Sequence, residues 1–170
     1  MLPRILNNYN LYIDGTSFAG RVEELTLPKL AKKTEEYQAA GMAGPIKIDL
    51  GNSLLELDFT LAEFSQEVLQ KWSTTDVSGI NARFLGAAIA ADGAGTDAIE
   101  ISVRGKWEEL DFGGLKGKDK AKLKVKMPIT YFRYAANSVT VIEIDQISGV
   151  ESVNGSSTSD AVLKALGLSS

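Results

Sequence analysis

Few side chains in this sequence are equipped for chemistry. It contains no His and no Cys. That excludes a Ser-His-Asp triad, an imidazole zinc site, a cysteine nucleophile, a thiolate metal site, an iron–sulfur cluster and a disulfide. Glu108, Glu109 and Asp111 stand close enough to supply the carboxylate pair of a glycoside hydrolase. The competing reading is a solvated strand end beside the Gly113-Gly114 turn, and no pocket-forming run accompanies the carboxylates. Gly93-Ala94-Gly95, between Asp92 and Asp97, has the composition of a phosphate or calcium loop. A phosphate cradle needs a helix after it and a Lys-Ser/Thr pair. Here the strand-like run Ala98 to Arg104 follows, so a hairpin tip is expected. No catalytic, cofactor-binding or metal-binding residue is expected, and a binding or structural protein is the default.

Charge is the next feature with chemical content. The net charge is −4, but Lys116, Lys118, Lys120, Lys122, Lys124 and Lys126 against Asp119 give +5 within eleven residues. Of the 18 basic and 22 acidic side chains, 12 and 21 lie outside that segment, which leaves −9 for the rest. An acidic body repels nucleic acid at long range. The lysine run also lacks the aromatics or arginines that nucleic-acid sites interleave. It reads either as a solvated strand face or as a patch complementary to an acidic protein surface. Arg83, Arg104 and Arg133 fall at non-core positions of predicted strands. Each either pairs with a carboxylate on a neighbouring strand or subunit, or stands unpaired at the surface.

The elements that must position these groups follow from periodicity. At 170 residues, 44% hydrophobic and 24% charged, the chain has the composition of one globular domain spanning residues 1–170. No apolar run approaches the length of a transmembrane helix, and Met1 to Asn10 lack the pattern of a cleaved signal. Period-two alternation dominates. Tyr9, Leu11 and Ile13 alternate with polar or aromatic partners, as do Ile46, Ile48 and Leu50; Leu55, Leu57, Phe59 and Leu61; Ile99, Ile101 and Val103; Leu123, Val125, Met127 and Ile129; and Ile142 and Ile144. Each run predicts a strand with one buried face, in antiparallel sheets. Pro128 predicts an edge or a bulge.

A helical period appears once within the body. Leu61, Phe64, Val68, Leu69 and Trp72 share one face, and Thr60 with Glu63 has the spacing of a capping box. The spacing predicts a flanking helix over about 61–73, anchored on the sheet by Phe64, Val68 and Trp72. Loss of a buried Trp72 would cost about 3–5 kcal/mol. A second, short helix is expected at the C-terminus, capped by Ser159, with Val162, Leu163 and Leu166 on its face and Gly167 at its end.

Two stretches read as long loops, at about 31–45 and 110–120. Loops of such length usually carry function or become ordered by a partner. In the first, Tyr37 and Met42 are apolar anchors, and Lys32, Lys33, Glu35 and Glu36 offer both charge signs for fixing register against another copy. With Lys122, Lys124 and Lys126, these residues are the candidates for contacts between subunits or between rings of subunits.

An ordered series of segments carries a family resemblance. It runs through Asn10-Leu11-Tyr12-Ile13-Asp14-Gly15 with Phe18-Ala19-Gly20, Leu27-Pro28-Lys29-Leu30, Thr34-Glu35, Tyr37, Gly41-Met42 and Asp49-Leu50-Gly51. It continues through Arg104-Gly105 with Glu109 and Asp111, Tyr131-Phe132-Arg133, Glu143-Ile144-Asp145, Val153-Asn154-Gly155 and Leu166-Gly167-Leu168. In this order and spacing the chain resembles the major tail tube protein of contractile-tailed phages and R-type bacteriocins (tailocins). Between Ser73 and Asp97 only the alternation of a strand is shared.

The resemblance implies a mainly β subunit, an antiparallel β-sandwich or barrel-like fold with one flanking helix. It implies no enzymatic activity and no cofactor. Six copies would form a ring, and rings would stack into a hollow inner tube that conducts DNA or pierces an envelope. The implied partners are further copies of the chain, the tail sheath, tape measure, baseplate and tail terminator proteins, with no specific nucleic-acid binding and no stable membrane anchoring. The implied location is a virion or bacteriocin particle, with synthesis in the bacterial host cytoplasm. A type VI secretion-like tube protein shares the implied architecture. A small-ligand-binding β-barrel would share the alternation but requires an aromatic cluster on a polar face, for which Tyr12, Trp107 and Tyr134 are isolated candidates.

Overall fold

Alternating apolar residues close one face of each strand, and short turns bring those faces together. The computed structural model describes residues 2–168. In chain order the strands are β1 (Arg4–Ile13), β2 (Thr16–Ser17), β3 (Val22–Thr26), β4 (Lys32–Tyr37), β5 (Ile46–Asn52) and β6 (Leu55–Leu61). Helix α1 (Gln66–Leu69) then runs into a 3-10 turn (Gln70–Ser73). There follow β7 (Ile80–Ala90), β8 (Thr96–Gly105), β9 (Glu109–Asp111), β10 (Leu123–Ala136), β11 (Val139–Asp145), β12 (Val150–Val153), β13 (Ser156–Ser157) and α2 (Asp160–Ala165). The tight turn between β1 and β2 is Asp14-Gly15, both at positive φ (48° and 83°), the geometry that favours this dipeptide in two-residue hairpins.

The pairing is antiparallel throughout. The main path runs β13-β12-β11-β10-β8-β7-β1-β2, with β3 on β6, and β6 and β9 on β10. Strand β10 belongs to two layers. Residues 123–129 pair with β6 and 124–126 with β9, whereas 129–136 pair with β8 and 131–136 with β11. Pro128 lies between the last β9 partner, Lys126, and the first β8 partner, Ile129, consistent with its having no N–H to donate. The crossing is tight: a Cβ on Gly105 would stand 2.2 Å from the Pro128 carbonyl oxygen.

The predicted inward faces form the core. Leu55, Leu57, Phe59 and Leu61 of β6 and Leu123, Val125, Met127 and Ile129 of β10 are all buried. They meet Leu11, Ile13, Phe84 and Val103 from the other layer. The result is a mainly β, antiparallel sandwich with short helical segments beside it, as the alternation and the family resemblance led one to expect. The tip of the β7–β8 hairpin is Gly93-Ala94-Gly95, so this is a turn and not a phosphate loop.

Three local expectations are corrected. The flanking helix does not begin at Leu61. Thr60 lies in β6 opposite Lys124, Leu61 pairs with Leu123 and Val22, and the helix starts at Gln66. Leu61 satisfies both periods, and the strand takes it because β6 is flanked on both sides. The Thr60–Glu63 capping box is therefore not formed; Ser65 precedes the helix, and its hydroxyl donates to Glu67 Oε2 at 2.7 Å. Of the predicted anchors only Val68 is fully buried. Trp72 is 53% exposed, and Phe64 instead packs edge-on against Phe112 at 5.3 Å on the surface. The buried indole is that of Trp107, which stands edge-on to Phe59 and donates from Nε1 to the Val68 carbonyl at 2.9 Å.

The second correction concerns residues 31–45, which do not form one loop. Lys32–Tyr37 is a strand paired to β5, and only 38–45 connect the two. In the stretch 110–120, residues up to Asp111 also belong to a strand, on the edge of β10. The third concerns α2. It ends as predicted, with Gly167 donating to Lys164 and Leu168 to Leu163, a Schellman closure. Of its predicted apolar face only Leu163 is buried, while Val162 and Leu166 are exposed. Ser159 stands at the N-cap position as predicted, but its side chain makes no capping hydrogen bond; its hydroxyl accepts from the Glu151 amide at 2.9 Å.

Exchange of the two tryptophan roles is measurable. Trp107→Ala is expected to cost about 3–5 kcal/mol in urea unfolding, whereas Trp72→Ala is expected to change stability by no more than about 0.5 kcal/mol.

Candidate assembly surfaces

The β4–β5 hairpin is an arm. Its register sets Tyr37 opposite Ile46 and Glu35 opposite Ile48, which places Tyr37, Ile46, Ile48 and Leu50 on one face. That face is not covered: the four side chains are 50%, 52%, 41% and 60% exposed. The alternation in Ile46, Ile48 and Leu50 predicted a strand correctly and a buried face wrongly, because no second layer lies over it within the subunit. The opposite face carries Glu36, Thr34, Lys47 and Asp49. Lys33, Glu35 and Glu36 are exposed, and Met42 folds back on the tip, its sulfur accepting from the Ala39 amide.

The arm is tied to the body at its base. The Ser53 amide donates to the Ala31 carbonyl at 2.8 Å. Glu151 on β12 accepts from Lys32 Nζ at 3.2 Å and from the Asn52 side chain at 3.5 Å, and Asp49 lies 3.5 Å from Lys32 Nζ. The hydrogen bond that Lys32 donates to Glu151 holds the pKa of its ammonium above the ordinary lysine value. Its contribution is therefore complete below the ordinary lysine pKa and is lost only as pH rises past it. Glu151 had no signal in the sequence, since its partner lies 119 residues away.

The strand half of the lysine run does not form a basic patch. Lys122, Lys124 and Lys126 point away from the core as predicted, but each sits among carboxylates. Lys124 is opposite Asp111 and Thr60, and Lys126 opposite Glu109 and Asp58. Lys122 lies 3.5 Å from Glu23 and Lys126 lies 3.7 Å from Glu56. Glu109 and Asp111 are thus spent in an alternating-charge surface. The loop after β9 carries the exposed Phe112 and Leu115 and ends in Lys116, Lys118 and Lys120.

The predicted arginine pairs are found in part. Arg83 Nε donates to Glu100 at 3.0 Å, and Arg133 approaches the same oxygen at 3.8 Å. Among the described residues Arg104 has no carboxylate partner; it lies over the Tyr131 ring at 4.5 Å. Burial, helped by Glu143, pushes the Tyr131 phenol up, so the ring stays neutral under the guanidinium. Between the layers, the space among Leu11, Leu57, Ala82, Phe84 and Val103 leaves no room for a water molecule. Among the described residues no group of His, Cys, Asp and Glu is placed to hold a metal, and no helix is long and apolar enough to cross a membrane.

A filled sandwich with an exposed arm is a building-block geometry, and its fold is one found in contractile injection machines. It matches a chain of the sheath–tube complex of an extracellular contractile injection system in the extended state. The TM-score is 0.58 at 10% identity, covering 79% of this chain and 92% of that one. It also matches a chain of the sheath/tube terminator of that kind of system (TM-score 0.59, 9% identity, 79% and 98% covered). The family is narrower: the model of phage tail tube protein FII matches residues 3–167, and the chain belongs to this family. It is 34% identical over 157 residues to the tail tube protein of Escherichia phage P2, covering 91% of each. It is 29% identical over 170 residues to the major tail tube protein of Serratia phage KSP20, covering 98% of each. The protein is accordingly a structural, tube-forming component of a contractile tail, not an enzyme, and its place is the tail tube of the particle.

Removal of the tie at the arm's base tests its mobility. Glu151→Gln is expected to speed amide hydrogen exchange across β4 and β5 by about two- to five-fold, as for a largely solvated ion pair. Exchange in β6 to β8 should be unchanged.

Proposed function

We propose that this chain forms six-membered rings that stack into the inner tube of a contractile tail, and that the β4–β5 arm joins one ring to the next. The observation that carries this reading is the uncovered apolar stripe of Tyr37, Ile46, Ile48 and Leu50. A stripe of this kind standing off a folded body gains free energy only when another surface covers it. The mixed charges of Lys32, Lys33, Glu35 and Glu36 beside it suit a register-specific contact with a second copy, and Met42 shapes the tip. Lys122, Lys124 and Lys126, set in rows of carboxylates, offer a second charge-patterned contact.

Ring closure has its own support. On the side away from β7, among the described residues strand β1 is ladder-paired only at Tyr12 and Ile13, with β2. Among the described residues, 4–10 present a free edge, and strand addition from a neighbouring copy satisfies such an edge. The reading extends to a surrounding sheath, a baseplate, a tail terminator and a tape measure protein. Two structural neighbours come from a sheath–tube complex and from a sheath/tube terminator. DNA passes without specific binding, and the subunit is not anchored in a membrane. Synthesis takes place in the host cytoplasm.

The test leaves the body intact and blunts the arm. A variant with Tyr37→Ser, Ile46→Thr, Ile48→Thr and Leu50→Thr is expected to keep its unfolding midpoint and to form no tubes in negative-stain microscopy when sheath and baseplate are supplied. Tubes of normal length from this variant would place the stacking contact elsewhere. A wild-type chain that stays monomeric under the same conditions would sink the ring reading itself.

A further inference from the structure

The register of the long sheet lines up outward-facing side chains in rows. One row crosses five strands as Tyr12, Arg83, Ser102, Arg133 and Glu143. Arg83 and Arg133 are two strands apart, about 10 Å by the strand spacing, with only the short Ser102 between them. Glu100, the next outward residue on the same central strand, fills that gap. One carboxylate oxygen accepts from Arg83 Nε at 3.0 Å and from the Ser102 hydroxyl at 3.3 Å, and lies 3.8 Å from Arg133. Arg133 Nε in turn donates to the Thr140 hydroxyl at 2.9 Å. In the next row Arg104 lies over the Tyr131 ring.

These arginines are the one arrangement on this face suited to a polyanion. A guanidinium fork matches a phosphate in two hydrogen bonds, and affinity grows with each phosphate neutralised. Repeated in every copy of a ring, three free forks per subunit would multiply into a strong trap for nucleic acid. Instead, Arg83, Arg104 and Arg133 are matched on the same face by Glu100, Glu143 and Asp145. Glu100 sits where one carboxylate engages two forks.

We propose that Glu100 is a charge lock: by engaging Arg83 and Arg133 it keeps the outward face of the β1-β7-β8-β10-β11 sheet from gripping DNA phosphates, and this face is the wall past which DNA moves. The second half rests on the tube reading above; the lock itself is a property of the single chain. A purely structural ion pair would lose some stability on neutralisation of Glu100. A lock gains a new activity.

The lock is tested on the full chain below tube-forming concentrations, with a short labelled duplex DNA as probe and fluorescence anisotropy as readout. Wild type and Glu100→Asp are expected to bind weakly. Glu100→Gln, of the same size but uncharged, is expected to bind about tenfold or more tightly at low salt, with affinity falling as salt rises. Adding Arg83→Gln and Arg133→Gln to Glu100→Gln should return binding to the wild-type level. A folded Glu100→Gln chain that binds no better than wild type, or a triple variant that keeps the gain, overturns the lock.

The wall assignment is tested separately. The chain has no cysteine, so Ala87→Cys, outward on β7, gives a unique thiol for a maleimide-gold tag. Tagged subunits co-assembled with wild type should show density along the tube axis; density on the outer surface overturns the wall assignment. If Ala87→Cys cannot enter tubes, Ala98→Cys on β8 serves the same purpose. Failure of wild type to form tubes counts against the ring reading and leaves the DNA-binding result standing.

Discussion

The backbone hydrogen bonding of β10 is the constraint on which the rest of the subunit depends. Its 14 residues bond to four other strands, β6 and β9 in the first half and β8 and β11 in the second. A strand shared between two layers fixes how they face each other, because a slip of one residue would turn every core side chain outward in both. Leu123, Val125 and Met127 in the first half and Phe132 in the second are all buried, in one core. The exchange of neighbours happens at Pro128, against a Gly105 that has no room for a side chain.

The same constraint explains what the subunit leaves open. Two layers joined through β10 bury the apolar faces of β1, β6, β7, β8 and β10, but they have no third layer to lay over β4 and β5. The arm therefore keeps its cross-strand bonds and its apolar stripe, while backbone and side-chain hydrogen bonds at its base around Glu151 attach it to the body. The buried core resides in the sandwich, and the arm adds little to it. The division suits a tube subunit, which must fold before it meets its neighbours.

The electrostatics follow one pattern on two faces. Outward positions on β6, β9 and β10 interleave lysines with carboxylates, and those on β8, β10 and β11 interleave arginines with carboxylates. Adjacent strands bring opposite charges about 5 Å apart, so a run that is strongly basic in sequence becomes nearly neutral in space. Exposed pairs of this kind contribute little to stability individually. Their consequence is a surface with weak long-range fields, which steers neither nucleic acid nor a charged protein strongly.

Period-two alternation alone determined β1, β5, β6, β8, β10 and β11, the inward faces of those in the body and the antiparallel class, because each position's polarity reports which side of a pleat it occupies; β3, β4, β9 and β12 carry no such run, and pairing with a neighbouring strand decided them. The ordered family segments determined the tail tube reading, and the Gly167 stop was legible from local chemistry. What tertiary structure decided was every choice between two local possibilities. Leu61 fits a strand and a helix equally, and pairing with β3 and β10 gave it to the strand. Trp72 and Trp107 are equally apolar, and only the position of Phe59 and the Val68 carbonyl selects Trp107 for the interior. Ile46, Ile48 and Leu50 alternate like core residues, yet no layer reaches them. The partners of Lys32, Lys122 and Arg133 come from strands distant in sequence, since charge pairing is set by register across a sheet and register is a property of the whole fold.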